Sequence, residues 1–391
     1  MPLGSYAEVS PWSEAIREAV AGRRMPPWHA DPRHGHWRND RSLSPTDRAA
    51  LLTWIDAGCP EGKPLADAPQ RETDGWRVKP DCVITMPEQS IPASGAIPYR
   101  YIPVPTGFKE NVWVRAAEVR PGNRRAVHHA LIFAGIISVS GEGGMIASYL
   151  PGDEPLELPE GYAKRIPAGA PLVFQLHYTA TGRPETDRTS IGLVFAGGPP
   201  THEVRSVDVE NRAFRIPAGA SNHELRSTYG FTGAVELLTL TPHMHLRGKD
   251  FTYTVTRPGV AAETLLSVPR YDFNWQTTYR LDKPLALPAG SVVDCAAHYD
   301  NSAGNPANPD PKQTVTRGEQ TTDEMMIGFI DYAFPRGTPP PFAAPPLSPP
   351  PAEPLWLSPV PWLSTGGGLL VGAAVVRAVR RRRNRGQERH D

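Results

Sequence analysis

From about Trp76 onward the chain alternates apolar and polar residues in short runs: "YRYIPVPT", "NVWVRAAEV", "AVHHALIFAG", "APLVFQLHYTATG", "TSIGLVFAG", "AVELLTLTPHMHLRG", "DFTYTVTRPG" and "SVVDCAAHYD". A period of two is the signature of strands with one buried face, and turn residues separate the runs at close intervals. The pattern predicts a mainly β protein of the sandwich or jelly-roll kind. The start of the chain differs. Ser10-Pro11 predicts an N-cap and first turn for a helix over "WSEAIREAVAGRR". Ser44-Pro45-Thr46-Asp47 predicts a second, with Asp47 at the capping-box position and Gly58 as its stop. "MPPWHADPRHGHWRND" lies between them as a loop.

The β-region echoes itself. "IPAGAPLVFQLHYTATG" begins at Ile166 and "LPAGSVVDCAAHYDNSAG" at Leu287, and both place a His-Tyr pair ten residues after the Pro. Two tandem jelly-roll β-sandwich domains follow as the expectation, over 76–205 and 206–334, behind a helical segment over 1–70. Residues 335–361 hold 12 of the 45 prolines and predict an extended linker. The apolar run Trp362 to Val376 leads into "RAVRRRRNR". It predicts a membrane anchor over 362–391 with its basic tail in the cytoplasm. The run is short for a full span, and the alternative is a disordered tail.

The net charge of zero hides an asymmetry. Arg377 to Asp391 carries seven Arg against two acids, so the rest of the chain is about five charges negative. A body without basic surplus is not expected to bind nucleic acid. Pro (45) and Gly (35) are abundant enough to favour short strands over a helical protein. Cys59, Cys82 and Cys295 are far apart and form no zinc or haem-attachment motif. The first twenty residues have no charged start followed by an apolar run, so they predict no signal peptide.

Four groups in the β-region could carry chemistry. His128 and His129 are adjacent in an apolar strand, where unpaired imidazoles are costly to bury. Neighbouring strand residues face opposite ways, so a shared metal needs a bulge or a twist there. The plain alternative is one satisfied core His and one exposed His. His177 in "FQLHYT" read alone is a structural histidine. His243 and His245 flank Met244, and in a strand would share a face, about 6.5 Å apart. Met325 and Met326 follow an acidic pair and read alone as core filler.

The order HH, HY, H-x-H, DEMM resembles the copper type II, ascorbate-dependent monooxygenases, over about Asp81 to Tyr332. That resemblance implies two tandem jelly-roll domains with one copper ion each. It matches His128, His129 and His177 to an electron-transfer copper, and His243, His245 and Met325 to an oxygen-binding copper. It implies an ascorbate-like reductant feeding the first site. At the second, O2 would be activated and a substrate C–H bond hydroxylated. Imidazole suits copper in either oxidation state, and a thioether favours Cu(I). Zinc accepts histidines too but cannot change redox state. The expected partners are a small-molecule or peptide-like organic substrate, O2 and an electron donor.

Departures bear on the substrate. An Arg that binds the substrate carboxylate in the peptide-hydroxylating member is replaced here by Thr241, and later polar and phenolic positions by Ile327 and Phe329. A peptidylglycine substrate is therefore not expected. The family also pairs the cysteine matching Cys295 with one after the ligand Met, where this chain has Met326, so that disulfide is expected to be absent. His298 echoes His177 without a role in the family site.

"SEAIREAVAGRRMPPWHADP…LSPTDRAALLTWIDAG" resembles the second half of a c-type cytochrome domain, found fused ahead of this module in bacterial proteins. There Met25 would be a haem axial ligand, but C-x-x-C-H is missing, so the chain as written should not bind haem c. An unrecorded upstream half is the expectation; a degenerate remnant is the alternative. His29, His34 and His36 read as structural or solvated. With the anchor, the resemblance implies a periplasmic location. Two rival classes remain: a non-catalytic copper-binding or electron-transfer protein on the same fold, and a β-sandwich binding module with incidental histidines.

Overall fold

The second helix forms where its caps predict. Ser44 Oγ accepts the Asp47 N–H at 3.0 Å, Pro45 opens the helix Pro45–Asp56, and Gly58 follows it with φ 82°. The first begins later than expected. Ser10 is itself helical (φ −58°), so it cannot cap, and Pro11 is spent in a 3-10 turn over Ser10–Trp12. A short helical turn Tyr6–Val9, capped by Ser5, precedes it, and the α-helix proper is Ser13–Ala21. This helix packs on Pro45–Asp56, with Val20, Ile55 and Cys59 buried.

The computed structural model describes residues 4–63, 75–135, 142–338, 340 and 341. The proline-rich stretch from residue 342 and the apolar run Trp362 to Val376 lie outside the described residues. No helix among the described residues is long and apolar enough to cross a membrane.

The protein is mainly β. A ten-stranded sheet runs, in order, Cys82–Thr85, Ser190–Phe195, Val112–Arg120, Tyr162–Ile166, His202–Glu210, Ile327–Pro335, Val235–His243 and Tyr279–Leu287, with two short strands off this path. Two four-stranded sheets accompany it. One is Arg100–Val104, Leu172–Tyr178, Val127–Ala134, Met145–Tyr149. The other is His223–Gly230, Val292–Tyr299, Gly248–Thr256, Glu263–Val268. Each four-stranded sheet shares an apolar core with part of the long one. Phe174, Leu176, Ile132, Val114 and Ile191 fill the first, and Phe251, Tyr253, Leu237, Val293 and Tyr332 the second.

The sequence echo has a structural counterpart. Gly169 (φ 72°) and Gly290 (φ 83°) end the Pro-Ala-Gly turns in a backbone conformation that glycine adopts at least cost. The strands that follow, Leu172–Tyr178 and Val292–Tyr299, are both interior strands of their four-stranded sheets. The strand His202–Glu210 runs through the predicted boundary at residue 205. It pairs in parallel with Tyr162–Lys164 on one side and antiparallel with Ile327–Pro335 on the other. At this seam the buried Lys164 ammonium donates at 3.0 Å to each of Asp331 Oδ1, Ser206 Oγ and the Met145 carbonyl. A buried charge is tolerated when its partners are complete, and here all three N–H bonds are used.

The loop predicted between the helices is a strap on the second core. Trp28 and Trp37 meet the buried Tyr279 edge-on, at 4.9 and 5.4 Å between centroids. The Asp31 N–H donates to the Ser267 carbonyl (2.8 Å), Arg38 N–H to Arg280 (2.9 Å), and Asp282 N–H to His36 (3.0 Å).

Candidate metal centre

His128 and His129 belong to Val127–Ala134, which pairs with Leu172–Tyr178. The register runs His177↔His129 and then Tyr178↔Val127, so His128 is the extra residue of a bulge. A bulge re-aims a side chain that regular pleating would send to the opposite face. The outcome is that ring nitrogens of His128, His129 and His177 all lie within 4.8 Å of one another. The Nδ1 atoms of His128 and His129 are 3.2 Å apart. Tyr99 closes one side. Its hydroxyl is 3.2 Å from His129 Nε2, and its ring stacks on His177 at 4.7 Å. Nothing in "IPYRYIP" marks Tyr99 out. Only the pairing of Leu176 with Arg100 brings it beside His177.

The second pair is built differently from the expectation. The strand Val235–His243 ends at His243, so His245 lies beyond it rather than two places along it. The two rings are 5.3 Å apart between centroids and perpendicular. His243 Nδ1 is 2.6 Å from Gln276 Oε1, and Gln276 Nε2 donates to the Phe273 carbonyl at 3.1 Å. This orients the amide so that its oxygen faces His243. Nδ1 then carries the proton and Nε2 keeps its lone pair. Met244 is fully buried in the second core, away from the pair.

One carboxylate organises His245 and Met325. Glu324, 0% exposed, accepts the backbone N–H groups of His245 (2.8 Å), Arg247 (2.7 Å) and Met325 (3.3 Å). Tyr299 donates to the Met325 carbonyl at 2.8 Å. Burial pushes the Glu324 carboxyl up to about 7, against the three N–H donors that favour its ionised form. In sequence Glu324 is only the acid before Met325. Its inward turn and its partners are tertiary facts.

The two histidine sets adjoin. His129 and His243 have ring centroids 6.1 Å apart. Phe273 bridges them, stacked on His128 (4.8 Å, 16°) and edge-on to His245 (5.9 Å). The loop bearing Phe273 is fixed to the segment around Gly152. Thr278 donates to Asp153 at 2.8 Å and Arg280 to the Glu154 carbonyl at 2.9 Å. Trp275 covers Gly152 so closely that a Cβ there would come within 2.8 Å of its ring.

The residues present suit a metal. His177 Nδ1 and His245 Nε2 are buried with no hydrogen-bond partner, a costly state for an imidazole unless a ligand takes it up. Burial pushes His128, His177 and His243 down to about 4 and His245 to about 3, so the rings are neutral donors at physiological pH. Other predicted positions lie elsewhere. Met25 is 39% exposed. His298 bonds Asp250 at 2.7 Å. Thr241 opposes Phe329 in the ten-stranded sheet. Cys59, Cys82 and Cys295 are all unpaired.

Residues 212–341 match the family model described as copper type II ascorbate-dependent monooxygenase, C-terminal domain. The matched segment contains His243, His245, Gln276, Phe273, Glu324 and Met325. The match covers about a third of the chain, and the family it belongs to is described as dependent on copper and ascorbate. No curated protein matches the chain. Among solved structures, the infectious bursal disease virus VP2 subviral particle is 10% identical over 70% of this chain and 76% of that one, with a TM-score of 0.22. The major capsid protein P2 from bacteriophage PM2 is 9% identical over 66% of this chain and 99% of that one, with a TM-score of 0.27. Likeness this slight bears on neither fold nor function.

Proposed function

We propose that the chain is a copper-dependent monooxygenase that hydroxylates a substrate C–H bond with O2, driven by an ascorbate-like reductant. His128, His129 and His177 would hold an electron-transfer copper, in a β-unit over 76–205. His243, His245 and Met325 would hold an oxygen-activating copper, in a β-unit over 206–334. Bound copper would supply one-electron redox chemistry and O2 activation. The chain's own contribution is positioning. Burial keeps the imidazoles neutral, Gln276 fixes the His243 tautomer, Glu324 holds the backbone of His245 and Met325 together, and Phe273 packs its ring against both sets. The same reading puts the module in the periplasm, anchored by 362–391.

The observation that carries it is the close grouping of three histidine nitrogens beside a second histidine pair inside the matched segment. Metal analysis of the purified chain tests it: two coppers per chain are expected, falling to one in Met325→Ala or His243→Ala. No copper, or zinc alone, overturns the reading. Ascorbate-dependent O2 uptake should yield a hydroxylated product; peroxide alone with every substrate would leave a non-catalytic copper protein.

A further inference from the structure

A cavity of about 290 Å³ opens beside His245, between the second core and the end of the first helix. Its walls include Tyr271 and Phe273, and its rim carries Arg23, Arg24 and Arg270 against Asp272. Most of these polar groups are already engaged. Arg24 pairs with Glu18 at 2.8 Å. Asp272 Oδ1 accepts both the N–H (2.9 Å) and the side-chain amide (3.0 Å) of Asn274. The Tyr271 hydroxyl is taken up by the Met244 backbone, accepting at 3.0 Å and donating at 2.8 Å. Asn305 is bonded to Leu246 and Asp300. Among the described residues, no hydrogen bond or ion pair engages the guanidinium of Arg23 or of Arg270. The cavity therefore has an aromatic wall, His245 in its lining, and two uncommitted cations at its mouth.

Arg23 has a further peculiarity. It follows the helix Ser13–Ala21 with φ 56°, a left-handed conformation that an L-residue adopts at a cost and glycine adopts freely. This backbone closes the helix, the Arg23 N–H donating to the Val20 carbonyl at 3.1 Å and the Arg24 N–H to that of Ala19 at 2.8 Å, and so fixes where the Arg23 side chain starts beside the cavity.

We propose that this cavity binds an anionic organic substrate, with its carboxylate on Arg23 and Arg270 and its carbon skeleton along Tyr271 and Phe273 toward His245. This rests on the oxygen-activating role proposed for His245. It makes the amino-terminal segment, through Arg23, part of substrate recognition. Guanidinium–carboxylate pairing is the strong, planar mode of such recognition.

Direct binding tests this apart from turnover. Phenylacetate, phenethylamine and 2-phenylethanol serve as probes of one shape and three charges, titrated by calorimetry into the full chain, both metal-free and copper-loaded. Phenylacetate should bind about tenfold or more tightly than the other two in both forms, and weaken with salt. Arg23→Gly relieves the backbone and should melt no lower than the parent. Arg23→Gly and Arg270→Gln should each weaken phenylacetate about tenfold and leave 2-phenylethanol unchanged. Equal or tighter binding of the amine, or unchanged phenylacetate binding in both variants, overturns the proposal. Arginine-dependent carboxylate binding in a chain that takes up no copper would sink the monooxygenase reading and leave this site standing. Copper uptake and hydroxylation without that dependence would do the reverse.

Discussion

Phe273 lies almost flat on His128, ring centroids 4.8 Å apart, although the two residues are 145 positions apart in the chain. The same ring meets His245 edge-on, so one side chain touches both histidine sets. Phe273→Ala should cost about 1 kcal/mol beyond the lost apolar burial. The larger effect is expected on the metal. Thermal melts with and without copper should show the copper-dependent rise in Tm shrinking by more than the apoprotein Tm falls. An unchanged rise would make Phe273 a packing residue only.

Gln276→Leu removes the acceptor that fixes the His243 proton at Nδ1. Losing such an orienting partner typically costs 10–100-fold in metal affinity, and about that factor is expected here. A Cu(I) competition titration against a chromophoric chelator reads it directly. Gln276→Glu, which keeps an acceptor at that place, should recover most of the loss.

Glu324→Gln replaces two acceptor oxygens with one and turns an amide N–H toward a backbone donor. At least one of the three backbone N–H groups is then left unmet in a buried place. The expected cost is about 2–3 kcal/mol, read as a lower urea midpoint. Copper should fall from two per chain toward one, with the His128, His129 and His177 set retained. Loss of both coppers at once would show that the two sets are not separable.

The metal-free protein should lose stability with acid. Burial holds His128, His177 and His243 near 4 in the folded state, below the ordinary 6.5. Between those values the unfolded chain binds more protons, so stability rises with pH across this window and falls as pH drops through it. Urea midpoints of the apoprotein should decline from about pH 6.5 to 4. A variant with His128→Gln and His177→Gln should show a flatter decline. An equally steep slope in the variant would assign the acid sensitivity to other groups.

The sequence by itself determined the mainly β character, because alternating burial with a period of two is a local pattern that survives any topology. It also marked out the second helix, where Ser44 accepts an orphan N–H, Pro45 removes one, and the Gly58 N–H meets the Ile55 carbonyl, all from nearby in the chain. The candidate histidines were visible as residue types in a recognisable order. Their arrangement was not. The bulge at His128 follows from its pairing with a strand fifty residues on, and the end of the strand at His243 places His245 outside it. Tyr99, Phe273, Gln276 and Glu324 carry no motif of their own. They gain meaning only when long-range pairing brings a tyrosine onto His177, a phenyl ring onto His128, an amide onto His243 and a buried carboxylate beneath His245. Residue type is written locally. The distances and free hydrogen-bonding groups that make a site arise from contacts between segments far apart in the chain.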